Sequence, residues 1–289
     1  MAESLIAATL GAQLIETFDN PEYRPPPLPG VALELLSLSN RSDATIDRVV
    51  RLLEQDEMLA GGVMRLIGSP LYAGRSRIRS LKEAVVRLGV RTVRDLVFET
   101  ALHQGVFSLA EYGETIEQIR RHSTVTAYIA RIVCKHAKID EEHAFLCGLL
   151  HDIGFAGLLF AVSNIEAEAS PPLIQLWAEI DALHEQGSRL ITKLWNLPVE
   201  LQELVGHHHH LHTGETSRVT AAIHIADRLS ERFGASVVGP VDEHGALMAG
   251  DAVDDFDLEV SRAELKLSEQ AMERIIEDAE VTVPDILWL

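Results

Sequence analysis

His151 and Asp152 are adjacent in the run Ala144-Phe-Leu-Cys-Gly-Leu-Leu-His-Asp-Ile-Gly-Phe-Ala-Gly-Leu-Leu-Phe160, which is otherwise almost wholly apolar. A helix that is apolar on every side belongs in the middle of a core. An ionised carboxylate in such a place is costly unless a cation or a coordinating group meets it. Asp152 therefore needs a partner, either a hydrogen-bonded network or a metal ion held with other imidazoles and carboxylates.

Four other segments carry a polar residue on an apolar helical stripe. In Glu114 to Ala137 the stripe Ile116, Ile119, His122, Ile129 and Val133 places His122 where a hydrophobe is expected. In Leu173 to Trp195, His184 takes such a place among Leu173, Trp177, Ile180, Ile191 and Leu194. A shorter helix with Leu201, Leu204, His208 and Leu211 repeats the pattern, with His209 on the neighbouring edge. In Val219 to Phe233, Asp227 flanks the stripe of Val219, Ile223, Ala226 and Ser230. Within the run His207 to His210, the periodicity turns His208 inward first and His209 second, leaving His207 and His210 outside.

A lone histidine of this kind is more often a hydrogen-bonded core residue than a ligand. Seven groups on five helices, all imidazole or carboxylate and without thiolate, suit Fe, Mn or Zn better than a soft metal or an oxygen-only Mg site. One divalent ion would take His122, His151, Asp152 and Asp227. A second would take His184, His208 and His209, with Asp152 bridging. A water held between them would lose a proton near neutral pH and become a nucleophile for a phosphate ester, with Asp152 and His151 then the catalytic pair. No glycine-rich phosphate loop, Ser-His-Asp order or cysteine nucleophile offers a rival chemistry.

The elements that must bring these groups together are helices. Pro21, Pro25, Pro26, Pro27 and Pro29 forbid regular helix after a short amphipathic start at 1 to 19. Short helical patterns follow from Val31, from Ile46 and around Met58 to Ile67. Ser80-Leu-Lys-Glu83 is a capping box that opens a helix through Leu88; Gly89 breaks it, and Thr92 to Phe107 forms another. The Gly74 to Arg79 loop is basic and reads as a solvated surface. Asp251, Asp254, Asp255, Asp257 and Glu259 read as an acidic loop without EF-hand spacing, and 261 to 279 as a closing amphipathic helix. No strand-like alternation and no fixed repeat is visible.

The 289 residues, 47% of them hydrophobic and 24% charged, describe a folded globular chain with a substantial core. A formal net charge of -19 disfavours nucleic acid and anionic membrane surfaces as partners. No basic leader or run of about 20 apolar residues marks export or a membrane span, so a cytoplasmic location is expected. Cys134 and Cys147 lie outside any CxxC and read as inert buried thiols.

Several blocks resemble the HDOD proteins, a branch of the HD superfamily related to HD-GYP phosphodiesterases. They are Pro27-Leu-Pro-Gly30, Ile67-Gly-Ser-Pro-Leu-Tyr-Ala-Gly74, Ser80 to Arg94, Arg121-His122-Ser123, Gly148-Leu-Leu-His-Asp-Ile-Gly154, Trp195-Asn-Leu-Pro198, the histidine run and Ala226-Asp-Arg-Leu229. The resemblance implies an all-α helical bundle of HDOD type, with an N-terminal short-helix half packed on an HD-like half. It implies a segment 1–24, the two halves at 25–110 and 111–235, and an acidic extension with a helix at 236–289. It also implies a bacterial signalling or regulatory module that works through contacts with other signalling proteins.

Relatives of this kind commonly lack the metal ligands, whereas this chain keeps a ligand-type residue at each matching position: His122, His151, Asp152, His184, His208, His209 and Asp227. It departs from the active HD-GYP pattern in two places. Phe155 stands where those enzymes have lysine after His-Asp-Ile-Gly, and Leu211-His-Thr-Gly214 stands where Gly-Tyr-Pro follows. The expectation is a regulatory protein with a divalent metal site, and the alternative is an active metal-dependent phosphohydrolase or cyclic-dinucleotide phosphodiesterase.

Overall fold

The computed structural model describes residues 12, 15–17, 20–39, 41, 44–72, 78–108, 112–139, 143–163, 173–210, 218–237 and 255–287, with side chains in the last stretch from Leu258. Among these there is no strand; the fold is all-α. Three short helices, α1 (Gly30–Ser39), α2 (Ile46–Leu53) and α3 (Glu57–Ile67), pack on the long α4 (Leu81–Gln104). Their starts follow from local chemistry. Thr45 and Asp56 cap α2 and α3 through the amides of Arg48 and Leu59. Ser80 Oγ accepts from the Glu83 amide, and Glu83 reaches back to the Arg79 amide at 2.9 Å. Gly89, at φ 83°, breaks α4 into two helical pieces as its sequence position foretells.

The second half is built on α5 (Gly113–Ala137), which packs against α6 (Ala144–Leu150) and α10 (Arg218–Arg232). Beside these lie α7 (Ile153–Ser163), α8 (Trp177–Leu194) and the short α9 (Val199–Val205), with α7 and α8 in intimate contact. The apolar span Ala144–Ser163 is long and apolar enough to cross a membrane by length and composition, but it is 94% buried inside the protein. It is a core element in which α6 and α7 are separated by a turn at His151 and Asp152.

Glycines make the tight packing possible. A Cβ on Gly148 would sit 2.7 Å from the Ala127 Cα, and one on Gly154 would sit 1.9 Å from the His184 carbonyl oxygen. Side chains at these two positions are therefore excluded by backbone. The proline-rich segment docks on the same half: Tyr23 donates to the Gly157 carbonyl at 3.2 Å, and the Trp195 indole donates to that of Pro26 at 2.9 Å.

Two helical assignments need correction. The expected helix over 261 to 279 is two helices, α11 (Asp255–Glu264) and α12 (Glu269–Ile286). Lys266, at φ 56°, turns the chain between them and Ser268 caps the second through the Ala271 amide. Asp255, Asp257 and Glu259 thus lie in a helix, while Asp251 and Asp254 fall outside the described residues, as do Gly74 to Arg77 of the basic loop. The helix expected to carry His208 ends at Val205, because Gly206 follows, and the histidines occupy turns beyond it.

Candidate metal centre

Five elements supply the predicted residues, and all seven side chains meet. His122 comes from α5, His151 and Asp152 from the α6–α7 turn, His184 from α8, His208 and His209 from the turns after α9, and Asp227 from α10. Their possible ligand atoms form three overlapping groups, each within 4.8 Å: His122, His151 and Asp227; His151, Asp152 and His208; His184, His208 and His209. All are buried except His209, which is half-buried and marks the edge nearest solvent.

Asp152 divides its two oxygens between the groups. Oδ2 lies 3.3 Å from both His122 Nε2 and His151 Nε2. Oδ1 lies 3.3 Å from His208 Nε2 and 3.7 Å from His184 Nε2. Asp227 Oδ1 completes the first side at 3.1 Å from His122 Nε2.

The backbone sets the tautomers. The Nδ1 atoms of His122, His151 and His208 lie 2.8, 2.9 and 2.7 Å from the carbonyls of Ala235, Gly148 and Val205, and that of His184 is held by the Asp181 carbonyl. Only an N–H can satisfy a carbonyl, so each Nε2 presents its lone pair to the interior. His122 and His151 then face one another across 3.0 Å, and His184 and His209 across 3.1 Å. His208 Nε2 is buried and lacks hydrogen-bond geometry to any group.

Without a metal, a proton can serve the first side. Burial works against a charge on His122, but its hydrogen bonds to Asp152 and Asp227 outweigh that and raise its pKa well above the imidazole range. Burial would raise both carboxyls, yet the histidines reverse it: His151 and His122 hold Asp152 well below the usual range, and His122 does the same for Asp227. Burial lowers His151 below the usual imidazole range, and burial with the neighbouring His208 and His184 lowers His209 to about 4. The His122 imidazolium faces two carboxylates, which leaves negative charge among these buried side chains for a cation to offset. Converging nitrogens, two carboxylates and an orphaned buried nitrogen fit divalent cations.

Three supporting residues were not among the sequence candidates for the site. Glu185 accepts the His209 amide at 2.9 Å and lies 3.3 Å from His210 Nε2, fixing the histidine run. Ser188 Oγ donates to the His151 carbonyl at 2.6 Å and accepts the Gly154 amide at 2.9 Å. Ser230 Oγ stands 2.9 Å from His122 Nδ1. Position next to His184 could have flagged Glu185; the serines are ordinary helix residues until the helices are docked. His207 and His210 are exposed and point away. Phe155 is buried and stacked on His184, while Leu211 to Gly214 lie outside the described residues.

Comparison with known proteins places this geometry. The HDOD domain family matches residues 26–211. An HDOD domain protein of unknown function from Geobacter sulfurreducens superposes with a TM-score of 0.69 at 22% identity, covering 96% of this chain and 95% of its own. A protein of Shewanella amazonensis SB2B, named as a candidate metal-dependent phosphohydrolase, superposes with a TM-score of 0.73 at 18% identity, covering 98% of each chain. An uncharacterized protein of Treponema pallidum (strain Nichols) is 25% identical over 197 residues, 64% of this chain. The chain spans only 38% of that relative's length.

Proposed function

Because the chain belongs to the HDOD domain family, we propose that it is a cytoplasmic regulatory protein that works through contacts with signalling proteins and carries a two-ion divalent site in its second half. The carrying observation is the division of Asp152, whose two oxygens face two separate nitrogen groups. His122, His151, Asp152 and Asp227 would hold one ion, and His184, His208, His209 and the other Asp152 oxygen the second. Fe, Mn or Zn suits this donor set.

Two features favour a regulatory role over turnover. Phe155 is packed away in a ring stack instead of offering a charge to a phosphate. Among the described residues, the ion pairs made by the seven side chains involve no lysine or arginine.

One observation supports a second reading, a metal-dependent phosphohydrolase: His209 brings the second group to a half-open edge where a small ester could approach. Bound ions would supply positive charge and an activated water there. Protein purified without a chelating column, assayed for metal and then for hydrolysis of phosphoesters and cyclic dinucleotides, separates the readings. Bound metal without turnover is expected. Turnover that vanishes in His151→Ala and Asp152→Ala would instead establish the hydrolase.

A further inference from the structure

Phe155 lies one turn beyond Asp152 with its ring against the face of His184. The centroids are 4.5 Å apart and the planes differ by 10°. Trp177 also stacks on the phenyl ring, at 5.4 Å and 13°. The three rings form a parallel stack ending at a histidine whose Nε2 points at His209 and Asp152. Phe155 and Trp177 are both buried.

We propose that Phe155, braced by Trp177, is a positioning residue for the second ion: it fixes the plane of the His184 imidazole and thereby the second ion's affinity. The proposal rests on the two-ion reading above. The Nδ1 bond to the Asp181 carbonyl fixes one edge of the ring but leaves it free to tip about that line. A flat surface against the ring face removes this freedom. Because ligand distances must fall within about 0.2 Å of ideal values, tipping of Nε2 costs affinity directly.

The electronics act in the same direction. An imidazole that coordinates a cation becomes electron-poor, and the negative face of a phenyl ring stabilises it. A lysine at this position would do the reverse. The effect should be confined to one side of the site, since the ring contacts of His122 and His151 among the described residues are with other imidazoles.

The ring can be separated from the volume it fills. Phe155→Leu keeps most of the volume and loses the flat face; Phe155→Tyr keeps the face. Full-length protein is stripped with chelator and titrated with Mn(II), with metal per chain measured directly, and Co(II) ligand-field spectra report each site. Expected are two ions in the parent, one in His184→Ala, two in Phe155→Tyr, and in Phe155→Leu a normal first ion with the second weakened at least about tenfold.

A second ion bound by Phe155→Leu with parental affinity and spectrum overturns the proposal while leaving the two-ion reading intact. A parent that binds fewer than two ions overturns that reading and the proposal with it. If Phe155→Leu fails to fold, Trp177→Leu against Trp177→Phe puts the same question one ring further out, and equal second-ion affinity in that pair overturns the proposal.

Discussion

His122 Nε2 and His151 Nε2 lie 3.0 Å apart while both Nδ1 atoms are held by backbone carbonyls. Two lone pairs at that distance repel unless a proton or a cation lies between them, so the cluster is poised to exchange one for the other. Divalent metal should therefore bind the native state and raise its stability, by about 2.7 kcal/mol at a free concentration of 100 times Kd. A thermal melt of chelator-stripped protein with and without Mn(II) or Zn(II) reads this directly. Asp152→Asn, which keeps shape but loses the divided charge, should abolish most of the shift; an unchanged melting temperature in the parent would remove the metal from the account.

Gly154 is where α7 and α8 touch backbone to backbone, with a hypothetical Cβ 1.9 Å from the His184 carbonyl and 2.7 Å from the Ser188 amide nitrogen. Gly154→Ala should force the helices apart at a cost at or above the usual overpacking range of about 1–3 kcal/mol. It should also separate His151 from His184. Urea melts should show the loss, and metal titration should show weakened binding even in conditions where the variant stays folded.

The sequence exposed the ligand types well and their supports poorly. His122 and His184 were legible because a histidine interrupts an otherwise apolar helical stripe, and His208, with His209 after it, because the period from Leu201 turns them inward ahead of the rest of the run. The end of α9 was misjudged because Leu211 extends the apolar pattern past Gly206, where the helix stops. The break before α12 carried a readable signal, Ser268 followed by Glu269, which the continuing amphipathic pattern masked. Phe155 read as a missing lysine because its stacking partners, Trp177 and His184, come from another helix.

Glu99 is wholly buried outside the cluster. Its Oε2 accepts from Tyr128 at 3.0 Å, Tyr128 meets Tyr72 at 3.2 Å, and Oε1 has no hydrogen-bond partner. Burial raises the carboxyl to about 7, against a smaller opposing effect of the Tyr128 bond. The folded state thus holds a proton that the unfolded chain releases above 4.5. Its stabilising contribution is complete below that pH and is lost as pH climbs through 7, by something on the order of 3 kcal/mol. Glu99→Gln removes the titration, so the variant should gain on the parent between pH 5 and pH 8. A melting-temperature difference constant over that interval would disprove the assignment.

The C-terminal helices lie beyond the part of the chain matched by the family, yet they pack on the half that carries the cluster. Ile275, Ala279, Val283 and Ile286 of α12 are buried, and α12 lies against α5, where His136 Nε2 is 2.8 Å from Asp278 Oδ2. Ser261 of α11 is 2.8 Å from His224 Nδ1 on α10. Since α5 carries His122 and α10 carries Asp227, removing α11 and α12 would expose apolar surface on both helices that frame the first ion group. Each fully buried aliphatic side chain contributes about 1.5–3 kcal/mol, so truncation after Val237 should lower the melting temperature sharply and weaken the first ion before the second. Calorimetry and metal titration on the truncated chain check this, and a truncated protein with parental stability and parental first-ion affinity would show that the two helices are a dispensable appendage.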